Sequence, residues 1–157
     1  MKELRRLIMD ERENRYQLAL KKGYSAAWDL QWGQAVGYYK QALDEKPGDP
    51  KALNNLALAL FEMQEYSESL RNYLLVAKKT PQDPIPLEKI AILYDKLDKP
   101  EVGSKIATKA AEIYLKSGEI DKAIENWVHA TTMNPENINA QTHLAILYER
   151  LGYTSRA

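Results

Sequence analysis

Apolar residues recur along the chain at helical spacing. Leu53, Leu56, Ala57 and Leu60 share one face of a helix, and Ile90, Ala91, Leu93, Tyr94 and Leu97 share another. Tyr114, Ile120, Ala123, Ile124 and Trp127 continue the pattern. No stretch alternates with period two for long enough to make a strand. The pattern therefore predicts an all-α fold. Prolines divide its helices: Pro47-Gly48-Asp49-Pro50 separates two runs, Pro81-Gln82-Asp83-Pro84 the next two, and Asn134-Pro135 a further pair. The first proline of each pair ends a helix. The second suits the first turn of the next, where its missing N–H costs nothing.

The spacing of these breaks exposes an internal repeat. Pro47 and Pro81 are 34 residues apart, and Ala35-x3-Tyr39, Ser69-x3-Tyr73 and Ala123-x3-Trp127 each start twelve residues before a proline. Turns precede them at Gln31-Trp32-Gly33, Gln64-Glu65-Tyr66 and Gly118-Glu119-Ile120. Upstream stand Leu53-x2-Leu56-Ala57-x2-Leu60 and Ala107-x2-Ala110-Ala111-x2-Tyr114; the run through Gly23 and Ala26 is looser, with Lys22 in its leucine slot. This arrangement resembles the tetratricopeptide repeat family. The resemblance spans roughly residues 15–157 and implies a right-handed α-solenoid of about eight helices in four to five helix-turn-helix repeats. Small residues at Gly23, Ala57, Ala91, Ala111 and Ala145 would let paired helices approach closely.

The register then slips, because 54 residues separate Pro81 from Pro135. A helix at about 100–117 fits two roles, as the second helix of the repeat begun by Leu87-x2-Ile90-Ala91-x2-Tyr94 and as the first helix of the repeat ending at Pro135. The expected repeats are 15–48, 49–82, 83–117, 118–137 sharing helix 100–117, and a partial 138–157. The last repeat stops after Gln141-x2-Leu144-Ala145-x2-Tyr148, with Ala157 in a small-residue slot, so a piece of a longer array is expected. Residues 1–14 form a charged helix with a narrow stripe of Leu4, Leu7 and Ile8. They read as a cap, as an extension of the first helix, or as a dimerising helix.

Composition narrows the functional class. The 157 residues hold 22 basic and 22 acidic side chains, and that balance argues against a general nucleic-acid binder or a polybasic membrane segment. No cysteine is present, which excludes disulfide frameworks, thiol catalysis and zinc ribbons. Neither a signal-peptide core nor a membrane-spanning apolar run occurs, so the expected compartment is the cytoplasm.

Chemistry-bearing constellations are missing from the sequence. The two histidines, His129 and His143, lie on different helices with no helix-spaced histidine partner. Acidic pairs such as Asp10-Glu11 and Asp44-Glu45 point to different faces, and no glycine-rich phosphate loop exists. No catalytic residue, metal or cofactor is expected.

The family resemblance directs attention to the concave groove, lined by the first helix of each repeat. Its inward positions would be Gln17, Leu20, Lys21, Tyr24 and Trp28; then Lys51, Asn54, Asn55, Leu58 and Glu62; then Ile85, Glu88, Lys89, Ile92 and Lys96; and finally Thr142, His143, Ile146 and Arg150. Tyr24, Leu58, Ile92 and Ile146 occupy one equivalent slot and would form an apolar track. The binding set is Tyr24, Asn54, Asn55, Leu58, Lys89, Ile92, His143 and Ile146. Some family members hold a C-terminal carboxylate in a clamp of Lys and Asn residues. Asn55 and Lys89 match it, but Leu20, Tyr24 and Ile85 replace its other members, so that clamp is not expected. The resemblance implies a non-catalytic protein-interaction module for a peptide or partner surface. The alternative is a spacer or self-association array within a larger protein, with a homodimer formed through an exposed array end.

Overall fold

Four helices of this chain end where the backbone turns left-handed. Leu30, Gln64, Asp98 and Gly118 have φ of 57°, 63°, 56° and 82°. After each, an N–H closes back on the helix just finished: Gln31 to the Ala26 carbonyl at 2.8 Å, and Glu65 to Leu60, Lys99 to Tyr94 and Glu119 to Tyr114 at 2.9 Å. This bond satisfies a carbonyl that the helix end leaves open. The left-handed residues are 34 apart from Leu30 to Gln64 and from Gln64 to Asp98, then 20 apart to Gly118. The repeat and its slip are thus written into the backbone. The first turn lies at Asp29–Gln31, two residues earlier than expected, because Trp32 and Gly33 already belong to the following helix.

The computed structural model describes residues 1–152, and among them every regular element is a helix. These are α1 (Lys2–Trp28), α2 (Trp32–Glu45), α3 (Pro50–Glu62), α4 (Tyr66–Lys79), α5 (Ile85–Lys96), α6 (Pro100–Lys116), α7 (Ile120–Met133) and α8 (Ile138–Arg150). Pro50 and Pro100 open α3 and α6, whereas Pro84 sits one residue outside α5 as its N-cap. The helices fall into two units, Met1–Lys79 and the part beginning at Thr80.

In the first unit α1 pairs with α2 and α3 with α4. The pairs close through small residues. A Cβ on Gly23 would come within 2.4 Å of the Tyr39 ring, and Ser69 donates to the Ala57 carbonyl at 2.7 Å. Tyr39 and Tyr73 are buried over these contacts. The Tyr16 hydroxyl donates to Asp49 at 2.8 Å, and the same carboxylate caps α3 by accepting from the Ala52 N–H at 2.9 Å. α1 runs unbroken from Lys2. Arg15 grips the Glu45 carboxylate at 2.7 and 3.1 Å, Arg12 donates to the Glu45 carbonyl, and Lys46 pairs with Glu13. The Arg15 guanidinium holds the Glu45 carboxyl below its usual range. Before Arg12, the side chains of Leu4, Leu7, Ile8 and Met9 are exposed.

In the second unit α6 packs against both α5 and α7. A Cβ on Gly103 would lie 2.7 Å from the Ala91 carbonyl oxygen, so α6 meets α5 as a second helix meets a first. Ala111, Ala123 and Trp127 are fully or almost fully buried, so α6 also meets α7 as a first helix meets a second. Ser104 donates to the Ala130 carbonyl at 2.7 Å. Asn137 caps α8 through the Ala140 N–H and donates to Ser104 and Thr108 at 2.8 and 3.0 Å. Of the five small positions, Gly23, Ala57, Ala91 and Ala111 are buried and Ala145 is exposed. The slot at Ala157 lies outside the described residues.

Candidate functional site

The first-helix face of the first unit carries one linked cluster. Tyr24, at the same position relative to Gly23 as Leu58 to Ala57, packs its ring edge-on against Tyr39 with centroids 6.0 Å apart. Its hydroxyl accepts from the Asn55 amide at 3.3 Å, and that amide also donates to the Lys51 carbonyl at 2.7 Å. The Lys51 ammonium sits 5.6 Å from the Tyr24 ring centroid, within cation–π range. The face is exposed at Tyr24 and Lys51 and half-buried at Asn54, Asn55 and Leu58. α1 and α3 therefore bring an aromatic ring, an amide and a cation together on one face.

Two first-unit positions depart from the expected groove. Leu20 is 2% exposed and belongs to the core with Tyr16, Ala19 and Tyr39, so it lines no groove. A leucine at that position finds enough apolar surface to leave water, where a polar residue would not. Gln17 is tied to Glu13 at 2.8 Å, and Trp28 stands 89% exposed at the end of α1.

In the second unit Lys89 and Ile92 are half-buried on α5, and Ile85 is exposed. Glu88 is not available to a ligand in the way its position suggests. The buried Asn126 of α7 donates to it at 2.7 Å. Burial, and then the nearby Glu88 charge, pushes the Tyr114 phenol up to about 12. On α8, His143 lies flat on Trp127 with centroids 4.7 Å apart and planes 17° apart. Its Nδ1 is 2.9 Å from the Asn139 carbonyl. The indole Nε1 of Trp127 is buried without a hydrogen-bond partner. His143 therefore spends one ring face on packing, while Ile146 is exposed beside it.

The shared helix adds residues that sequence reasoning missed. Lys105, Thr108, Lys109 and Glu112 of α6 line a recess of about 470 Å³ with Asn137 and Asn139. The signal was available. Lys105 and Lys109 stand six and two residues before Ala111, as Lys51 and Asn55 stand before Ala57. Counting α6 as a first helix puts them at the positions that Lys51 and Asn55 hold on α3. Among the described residues, no cluster of three or more His, Cys, Asp or Glu could hold a metal ion, and no helix is long and apolar enough to cross a membrane.

Two family descriptions match the sequence, a tetratricopeptide repeat over residues 31–87 and a TPR repeat over residues 111–152. The chain is built of tetratricopeptide repeats. The gap between the matched stretches, residues 88–110, covers most of α5 and of α6, where the repeat changes register. Among curated relatives, Photosystem I assembly protein Ycf3 of Prochlorococcus marinus (strain MIT 9312) is 25% identical over 137 residues, covering 76% of this chain and 78% of that protein. The TPR2B domain of yeast Sti1, solved as a pHsp70 complex, superposes with a TM-score of 0.67 at 15% identity, covering 76% of this chain and 98% of that one. The first TPR of Spaghetti (RPAP3), bound to the HSP90 peptide SRMEEVD, gives a TM-score of 0.53 at 14% identity over 88% of this chain and 94% of that one. At these identities the solved structures show the shared repeat fold.

Proposed function

We propose that the protein is a non-catalytic interaction module that holds an extended acidic peptide segment of a partner on the first-helix faces of its repeats. The observation that carries this reading is the recess where Lys105 and Lys109 of α6 face Asn139 of α8. Two ammonium groups one helical turn apart, beside side-chain amides and outnumbering the single acid Glu112 among the described lining residues, favour a carboxylate-bearing segment. The first unit repeats the theme with Lys51, Asn55 and Tyr24, where a side chain can lie against the ring while Asn55 meets the peptide backbone. Asn54 and Leu58 complete the proposed contact set of the first unit, and Lys89, Ile92 and Ile146 that of the second, where His143 contributes an edge only. Neighbours of the same fold are solved with an Hsp70 or HSP90 peptide, and a relative is named an assembly protein. Both support the interaction class; neither names a partner for this chain.

The test is fluorescence anisotropy against labelled acidic, neutral and basic peptides of equal length. Acidic peptides bind best, and their affinity falls as salt rises. Lys105→Ala with Lys109→Ala weakens them by about threefold to thirtyfold, taking each exposed charge contact at roughly 0.2–1 kcal/mol. Equal affinity for all three peptide classes sinks the acidic assignment. Absence of binding to any of them favours the spacer alternative.

A further inference from the structure

Each unit also carries an exposed apolar surface away from its first-helix face. α1 extends well beyond the helix it pairs with, and its first turns leave Leu4, Leu7 and Ile8 at 60%, 61% and 49% exposure. These three fall on one side of the helix, since residues three and four apart share a face. The same turns carry Lys2, Arg5 and Arg6 against the single acid Glu3, so the stripe is flanked by positive charge. The second unit holds the complement. A cleft of about 1020 Å³ opens between the first turn of α7 and the end of α8, floored by Ile120, Ile124 and Leu151. Its rim bears Asp121 and Glu125, while Lys122, the one basic residue among the described residues that line it, is already held by Glu119 at 2.7 Å.

We propose that the first turns of α1 of one copy dock in the α7–α8 cleft of another, with Leu4, Leu7 and Ile8 against the apolar floor and Arg5 and Arg6 toward Asp121 and Glu125. An exposed apolar stripe and an open apolar cleft on one molecule are each unfavourable in water, and opposite charges fix the pairing. The two surfaces differ, so the contact is heterologous and copies add head to tail. The interface is one short helix in one cleft, at the small end of specific interfaces, so association depends on concentration.

Analytical ultracentrifugation of the full chain over a wide concentration range tests this. The weight-average mass of the wild type rises above that of one copy, less so at high salt. Leu4→Glu with Leu7→Glu removes the stripe, and Glu125→Lys with Leu151→Lys removes the cleft; all four positions are exposed, and circular dichroism checks that helicity is kept. Each double variant alone stays monomeric. Mixed, the two form a one-to-one pair and nothing larger, because each retains one working surface. A wild type that stays monomeric throughout overturns the proposal. So does a cleft variant that still self-associates, which would mean that stripe meets stripe, and so does a mixture that never pairs.

Discussion

The Asn137 amide donates to the Ser104 hydroxyl at 2.8 Å, across 33 residues of chain. Tyr16 and Asp49 are joined across the same sequence distance, also at 2.8 Å. In each case the residue capping a first helix is tied to a position seven residues before a small packing residue, Gly23 or Ala111, on the helix one repeat back. α6 therefore relates to α8 as α1 relates to α3. Yet α6 also presents Gly103 to the Ala91 carbonyl, as a second helix does. One helix serves two repeats because its buried side is small and broad, with Gly103, Ser104, Ala107, Thr108, Ala110 and Ala111 all buried.

Removing this tie weakens the second unit. Asn137→Ala deletes an N-cap acceptor and two donors, and a cap alone is worth about 0.5–2 kcal/mol. With the lost side-chain bonds, the expected destabilisation is about 2 kcal/mol in urea unfolding. Asn137→Asp keeps the acceptor for the Ala140 N–H and loses the donors, so it recovers part of that loss. Equal stability of all three proteins would show that the tie contributes nothing.

The small positions on α6 make a sharper forecast. Gly103→Ala forces a methyl to within 2.7 Å of a backbone oxygen, and overpacking of this kind costs about 1–3 kcal/mol. Gly37→Ala in α2 meets nothing within 4 Å and removes a poor helix former, so it stabilises by about 0.5–1 kcal/mol. Thermal unfolding of the two variants should move in opposite directions. A stabilised Gly103→Ala protein would mean that α5 and α6 are less closely packed than their geometry requires.

Much of this architecture was legible in the chain. Proline spacing and the Ala-x3-aromatic motif located the helix pairs, and Ala107-x2-Ala110-Ala111-x2-Tyr114 announced the double role of α6. Gly103 did not announce itself, because an isolated glycine in a helix has no pattern; its use depends on which carbonyl approaches it. The site was less legible. Position within the repeat put Tyr24 and Asn55 on a common face, but it could not tell that Leu20 would be drawn into the core. Nor could it tell that Glu88 would be claimed by Asn126, a pairing made across 38 residues. Lys105 and Lys109 were hidden for a simpler reason. They fall on the first-helix face only when their helix is counted as a first helix.

The left-handed turn residues offer a stabilising change. Leu30 holds φ 57°, a conformation that costs an L side chain roughly 1–2 kcal/mol. Glycine removes that strain but loosens the unfolded chain, which returns about 0.4–1 kcal/mol. Leu30→Gly should therefore raise stability by about 0.5–1 kcal/mol, with the turn bond from Gln31 to Ala26 kept. Leu30 is exposed, so no core contact offsets the gain. A lowered melting temperature would show that the Leu30 side chain contributes contacts that outweigh its backbone strain.

Asn55 and Tyr24 should separate in a binding assay. Both bonds of Asn55 use its Nδ2, so a peptide N–H would be met by its Oδ1. Asn55→Ala then costs about 0.5–1.5 kcal/mol, a loss of roughly threefold to tenfold for a groove peptide. Tyr24→Phe removes only the group that steadies the amide and keeps the ring, so its loss is smaller. Unchanged affinity in the Asn55 variant removes that residue from the contact set.

Alkaline pH should unfold the protein by a route set by its buried phenols. Burial, aided by the neighbouring Tyr24 for Tyr39 and by Glu62 for Tyr73, pushes both phenols up to about 12, where Tyr114 also stands. Tyr16 is raised as well, by burial and by its bond to Asp49. In the unfolded chain a tyrosine loses its proton near pH 10. Between about pH 10 and 12 the unfolded state therefore binds fewer protons than the folded state, and stability falls as pH rises. Below pH 10 the contribution is fully present. Ultraviolet tyrosinate absorbance and helical circular dichroism, followed together, should show the buried phenols ionising only as the helices melt. Tyr73→Phe removes one of these protons, so the fall in stability across that window should be shallower by up to about 1.4 kcal/mol per pH unit. Its stability must be referred to its own value below pH 10, because deleting the hydroxyl also alters packing there. If every tyrosine ionised before helicity changed, the phenols would be reachable by water in the folded protein, and the packing of aromatic against small residue would be looser than the Gly23–Tyr39 contact implies.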